Sequence, residues 1–227
     1  GIQVILQAET QRFVPAEDAV TVVTSQGDYA AEAVLVAIGR RPNVEELNLE
    51  AAGVALTPRG FIQVDEYLRA APHIWAMGDV AGSPQFTYVS LDDYRIVRDQ
   101  LFGEGKRTTR DRSLLPTSVF TTPALAQIGM TETQAAASGH PYEVKRLQTV
   151  AIPKAKVLGE THGLLKAIVD KETGLILGAT LFCPEAHELI NLLKLAMDHQ
   201  VPASALHTQI FTHPTIAEAL NDLFAPN

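Results

Sequence analysis

His213 and Glu218, in the stretch FTHPTIAE at 211–218, are a pair of residues that can move protons. Imidazole donates or accepts a proton near neutral pH. A carboxylate bonded to its other nitrogen would fix the tautomer and raise its basicity. The same stretch also spells a helix entry: Thr215 and Glu218 have capping-box spacing, and Pro214 suits a first turn. A second carboxylate, Asp79, closes the apolar run IWAMGDV at 74–80 behind Gly78. At the carboxyl end of a strand it would accept a hydrogen bond from a ligand hydroxyl, the edge where open α/β sheets gather ligands; a plain Gly-Asp turn is the alternative. Thr87 lies just before a helix that begins near Tyr88 or Ser90. A helix start offers free N–H groups and partial positive charge to an electron-rich carbonyl, unless Thr87 or Ser90 only caps it. The run VLVAIGRRPN at 34–43 ends its apolar part at Gly39, where a ligand or a second backbone can approach. It reads equally as a buried strand leaving its sheet through a polar turn.

The elements needed to hold these residues follow from periodicity and turn chemistry. Strands are predicted at 3–6, 19–24 and 34–38, with a turn at 26–28, together a β-meander. A short helix is predicted at 45–52 with Gly53 as its stop, then a turn at 58–60 and strands at 61–64 and 73–80. Residues 90–101 read as a helix with Leu91, Tyr94, Val97, Arg98 and Leu101 on adjoining turns. The charged stretch EGKRTTRDR at 104–112 has no apolar anchor and marks a domain boundary. Beyond it come strands at 118–121, 144–152, 164–170 and 175–182, the last two joined by a turn at 171–174. Helices are expected at 131–138, 185–200, 203–207 and 214–223. Thr131 and Gln134 cap the first and Gly139 ends it. In the second, Leu189, Leu192, Leu193 and Ala196 form one apolar face. The fold class is α+β: an antiparallel sheet with flanking helices, preceded by partial α/β nucleotide-binding segments.

Composition narrows the function. The chain has 227 residues, 46% of them hydrophobic, and a formal charge of -8. Such an acidic chain lacks the basic footprint of a sequence-independent nucleic-acid binder. No apolar run approaches a membrane span, and no charged-then-apolar leader is present. Cys183 is the one cysteine, so an intramolecular disulfide is impossible and a cytoplasmic setting is the default. Cys183 reads as a small buried thiol. Lys154 and Lys156 read as a solvated face, and the histidines show no metal-ligand spacing. The chain opens on GIQVIL without an initiator methionine. It reads as part of a longer protein or a processed chain.

Taken in order, VLVAIGRRPN, IWAMGDV and IFTHPTIAEAL resemble the C-terminal half of the glutathione reductase, lipoamide dehydrogenase and mercuric reductase family of pyridine nucleotide–disulfide oxidoreductases. PTSVFTTP at 116–123 and IGMTE at 128–132 resemble the opening of its interface domain. QFTYVSLDDYR at 85–95, with FTH and LNDLF near the end, is similar to the bacterial flavoproteins associated with resistance to reactive chlorine species. The resemblance implies three segments: 1–38 from an NAD(P)-binding domain, 39–112 from an FAD-binding domain, and 113–227 as the dimerisation domain. It implies that Gly78 and Asp79 meet the ribityl chain of FAD and that Thr87 faces the flavin pyrimidine edge. His213, oriented by Glu218, would be the acid/base of the redox thiols, acting in the partner subunit of a homodimer. FAD, NAD(P)H and a disulfide or other oxidised acceptor would belong to the full-length protein.

The departures point the same way. The sequence has no Gly-x-Gly-x-x-Gly loop and no Cys-x4-Cys pair. This chain alone is therefore expected to hold neither nucleotide stably and to be inactive; the alternative reading is an isolated dimerisation module. The tail FAPN carries no cysteine pair, unlike mercuric reductases and large thioredoxin reductases. Phe211 stands where lipoamide dehydrogenases usually carry a further histidine.

Overall fold

A computed structural model describes residues 1–112 and 114–226. The chain divides into two units: Gly1–Asp65 with Arg69–Tyr94, and Glu66–Leu68 with the chain from Arg95 onward.

In the first unit, β1 (Thr10–Pro15), β2 (Val20–Thr24) and β3 (Gly27–Ala31) form an antiparallel sheet in the order β1-β2-β3. This is the expected meander, but with different members. The β-branched run of β2 is central and pairs on both sides. β1 (TQRFVP) is exposed along its whole length and its apolar residues are adjacent, so no apolar alternation announces it. The predicted strands at 3–6 and 34–38 do not form. Their side chains face solvent, with Val4 74%, Leu35 89% and Ile38 92% exposed. A run apolar on both faces is stable as a strand only with neighbours to pair its backbone and cover it. Neither run has a strand partner among the described residues.

The predicted helix at 45–52 is a set of turns. Its backbone bonds, such as Ala52 N–H to Leu49 O and Gly53 N–H to Glu50 O, span three residues rather than four. Asn48 sits at φ 47°, which no α-helical residue adopts. Leu49 still packs on the small cluster of Val54, Ile62 and Ala76. The predicted strand at 61–64 shrinks to a single bridge, Leu56 to Ile62, after the expected turn. Of 73–80, only Ile74–Trp75 is strand (β5), paired with β4 at Arg69–Ala71.

Helix α1 runs Thr87–Phe102 and starts earlier than expected. Its buried stripe is Val89, Asp93 and Ile96, whereas Leu91, Tyr94 and Leu101 are roughly half exposed. Of the apolar positions expected on one face, these three lie outward and Val97 is partly buried.

The second unit is built on a five-stranded antiparallel sheet, in the order β6 (Thr117–Val119), β7 (Ala124–Gly129), β10 (Ile176–Cys183), β9 (Leu164–Asp170), β8 (Tyr142–Gln148). Helix α2 (Glu132–Ser138) begins at the expected cap: Gln134 N–H donates to Thr131 Oγ1, Thr131 N–H donates to Gln134 Oε1, and Gly139 ends it at φ 72°. Strand β8 stops at Gln148, short of the predicted 152. Residues Thr149–Ala151 turn through a 3-10 helix into α3 (Pro153–Leu158), which carries Lys154 and Lys156 and was not predicted. Helix α4 (Ala186–Asp198) lays Leu189, Ile190, Leu193 and Ala196 on the core, with Leu192 partly buried beside it. Helix α5 (Ala203–Thr208) and α6 (Ala219–Leu223) follow. Residues 214–218 are turns rather than helix, so α6 is shorter than expected. Cys183 ends β10 fully buried; burial, aided by Glu185, pushes its thiol pKa up to about 12. No helix among the described residues is long and apolar enough to cross a membrane.

Glu132, the first residue of α2, ties that helix to the sheet. Its carboxylate accepts from Lys166 on β9 at 3.2 Å and from Arg146 on β8 at 2.9 Å. These bonds, Lys166 first, hold its pKa below the usual carboxylate range. A depressed carboxyl stabilises the fold above its unfolded pKa of about 4.3 and loses that contribution as pH falls through the folded value. Glu132→Gln should therefore lower the melting temperature at about pH 7, and the deficit should shrink below about pH 4. Circular-dichroism melts across that window check this; a deficit independent of pH would mean that the charge is not responsible.

Candidate functional site

In the second unit, His213 Nδ1 lies 2.7 Å from Glu218 Oε2. The other oxygen, Oε1, accepts the Thr215 N–H at 3.3 Å, and Glu218 N–H donates to Thr215 Oγ1 at 3.3 Å. The stretch thus holds both contacts that its spacing suggests, a carboxylate on the imidazole and a capping-box pattern at Thr215. Glu218 closes a capping-box pattern around the turn with one oxygen and holds the imidazole with the other. The Glu218 side chain is 17% exposed and that of His213 68%. With Nδ1 engaged, Nε2 is the nitrogen offered outward, and Nδ1–H facing a carboxylate favours that tautomer.

The scaffold under this pair is apolar. Ile216, Ala219, Leu220 and Leu223 are all almost fully buried in the sheet's core. Asn221 adds a polar clamp: its side-chain nitrogen lies 2.9 Å from the carbonyls of Leu206, His207 and Gln209, while its own carbonyl meets His207 Nδ1 at 2.8 Å. This fixes the segment that leads into Phe211–His213. Asn221 entered the sequence reading only as one letter of a resemblance. An asparagine within a helical run carries no signal of what it bonds across 12 to 15 residues.

In the first unit, Asp79 does not sit at a strand end. It lies in a 3-10 turn, Gly78–Ala81, beyond the two-residue β5. There it lines an open cleft of about 380 Å³ with Arg40 to Asn43, Val80 and Gln85. The segment after Gly39 therefore reaches this cleft although 34–38 is not a strand. Asp79's carboxylate has no hydrogen-bond partner among the described residues, so its acceptors are available to a ligand. Thr87 is the first residue of α1 rather than the residue before it. The rings of Phe86 and Tyr88 stack at 5.1 Å on either side of it in sequence. Gly78 adopts φ 74° and is buried; its N–H donates to Asp93 Oδ2 at 2.6 Å. Asp93, inside α1, was missed because apolar periodicity cannot reveal a buried carboxylate.

Comparison with known proteins identifies the family. Residues 1–93 match the family model "Pyridine nucleotide-disulphide oxidoreductase", and residues 115–224 match its dimerisation domain. The chain is 51% identical over 226 residues to the probable pyridine nucleotide-disulfide oxidoreductase RclA of Escherichia coli K12, covering 99% of this chain and 51% of that protein. It is 36% identical to a dihydrolipoyl dehydrogenase of Mycobacterium tuberculosis H37Rv over 99% of this chain and 49% of the relative. The solved structure of the HOCl-induced flavoprotein disulfide reductase RclA from E. coli superposes with a TM-score of 0.92 at 52% identity, over 97% of this chain and 51% of that one. The chain spans about half the length of the curated relatives it matches. It belongs to the pyridine nucleotide-disulphide oxidoreductase family and is RclA-like.

Proposed function

We propose that this chain is the C-terminal half of an FAD-dependent NAD(P)H:disulfide-type oxidoreductase, supplying its dimer interface and the acid/base histidine of its thiol half-reaction. The observation that carries the reading is the 2.7 Å contact between His213 Nδ1 and the largely buried Glu218 carboxylate. It is the arrangement a proton-transfer imidazole needs: one nitrogen oriented, the other outward. We assign 1–38 to the NAD(P)-binding domain, 39–112 to the FAD-binding domain and 113–227 to a homodimerisation domain, in a cytoplasmic protein.

The residues fit part of a flavin. Asp79's unengaged carboxylate suits a ribityl hydroxyl, beside Gly78, and the start of α1 at Thr87 suits the pyrimidine carbonyls. Bound there, FAD would pass electrons from NAD(P)H towards a cysteine pair carried outside this chain. The oxidised acceptor is then a disulfide or a similar small molecule. In the thiol half-reaction one thiolate attacks the acceptor's S–S bond, forming a mixed disulfide and expelling the second acceptor sulfur as a thiolate. His213 Nε2 takes the proton that frees the attacking thiolate, stabilises that thiolate as an imidazolium, and returns the proton to the departing sulfur. Glu218 keeps the ring aligned and balances the imidazolium charge.

A second reading applies to the isolated chain: a non-catalytic homodimerisation module. The absence of any Gly-x-Gly-x-x-Gly loop and of a cysteine pair favours it. Asp79 and Thr87 together return less binding energy than immobilising a dinucleotide costs.

Two measurements test these readings. In the full-length protein, His213→Ala should slow acceptor reduction by about 10²- to 10⁴-fold, the usual worth of a positioned acid/base. Flavin reduction by NAD(P)H should be nearly unchanged. Glu218→Ala should have the same pattern, more mildly. Stopped-flow traces of the two half-reactions separate them; wild-type rates in both for His213→Ala would leave these residues as a turn cap only. The isolated chain, mixed with FAD and desalted, should be colourless and should not oxidise NAD(P)H. A stoichiometric flavin spectrum after desalting would refute that.

A further inference from the structure

We infer that Asp93 is a positioning residue for the flavin: it touches no cofactor, but fixes the spacing between the two groups that do. This rests on the reading that Asp79 and Thr87 face FAD. A carboxylate in the middle of a helix, with the residue 0% exposed, is costly to place there unless the protein uses it. Asp93 accepts the Gly78 N–H at 2.6 Å. Ser90, one turn earlier on the same face of α1, closes the other side: a Cβ added to Gly78 would come 3.0 Å from Ser90 Oγ. Gly78 also holds φ 74°, a conformation that side chains other than glycine's resist.

The turn that carries Asp79 is therefore seated against α1, its first N–H bonded to the Asp93 carboxyl group. Thr87 starts that same helix, two turns before Asp93. The Asp93–Gly78 hydrogen bond consequently links a ribityl acceptor on the turn to the pyrimidine-facing end of the helix. Releasing it frees Gly78–Ala81 to move against α1 and misplaces Asp79 while leaving every flavin contact chemically present.

The test uses the full-length holoenzyme, deflavinated and titrated with FAD. Asp93→Ala should weaken FAD binding by about tenfold or more and shift the bound flavin's visible band, because its polar contacts change. Asp93→Asn retains a carbonyl oxygen at the same reach and should remain within about threefold of wild type. Asp79→Ala is measured in parallel. If Asp79→Ala binds FAD as wild type does, the flavin reading of this turn is wrong, and the inference falls with it. If Asp79→Ala binds weakly while Asp93→Ala keeps wild-type affinity and spectrum, only the positioning role is overturned. It is equally overturned if Asp93→Asn is as weak as Asp93→Ala. Should Asp93→Ala fail to fold, Asp93→Ser replaces it in the same comparison, its hydroxyl being too short to reach Gly78 N–H.

Discussion

The two carboxylate oxygens of Glu218 are committed to different partners, and the orientation of the candidate acid/base follows from that division. One oxygen completes the turn at Thr215, so the carboxylate cannot swing away without opening the entry to α6. The other holds His213. The turn is in turn held by the apolar residues beneath it, Ile216, Leu220 and Leu223, which are sunk in the same core as β10 and α4. The candidate proton-transfer pair at the surface is thereby anchored to burial below it. An exposed polar contact would ordinarily wander; here one partner is largely buried and held by a second bond.

What the sequence could reveal was set by where each segment finds its partners. The second unit pairs its strands with one another, so β9, β10, α2 and α4 carry their own evidence in alternation, capping residues and an apolar face. The first unit offers no such closure for residues 3–6 and 34–38. Their β-branched runs have the composition of strands, but among the described residues nothing lies alongside to accept their hydrogen bonds. Composition records a tendency; pairing decides whether it is met.

The site was legible in its chemistry and less so in its support. His213, Glu218, Asp79 and Thr87 are noticeable because of what their side chains can do. Asp93 and Asn221 act on backbone groups, and backbone partners leave no mark in a sequence. Helix α1 shows the difficulty most clearly. Its leucine and tyrosine pattern pointed to one face, while the buried stripe contains a carboxylate. The polar residue that breaks an amphipathic pattern was the informative one.

The burial of Cys183 has a consequence for work on longer proteins that carry this half. Burial pushes its pKa up to about 12, so the thiolate that reagents attack is scarce at neutral pH. Behind the packed end of β10 it is also shielded from reagents. Alkylation, isotope-coded tagging or oxidant titration of the native protein will therefore count sulfur atoms elsewhere in the polypeptide. This chain contributes a silent background, against which the stoichiometry of reactive thiols can be read without first removing a cysteine.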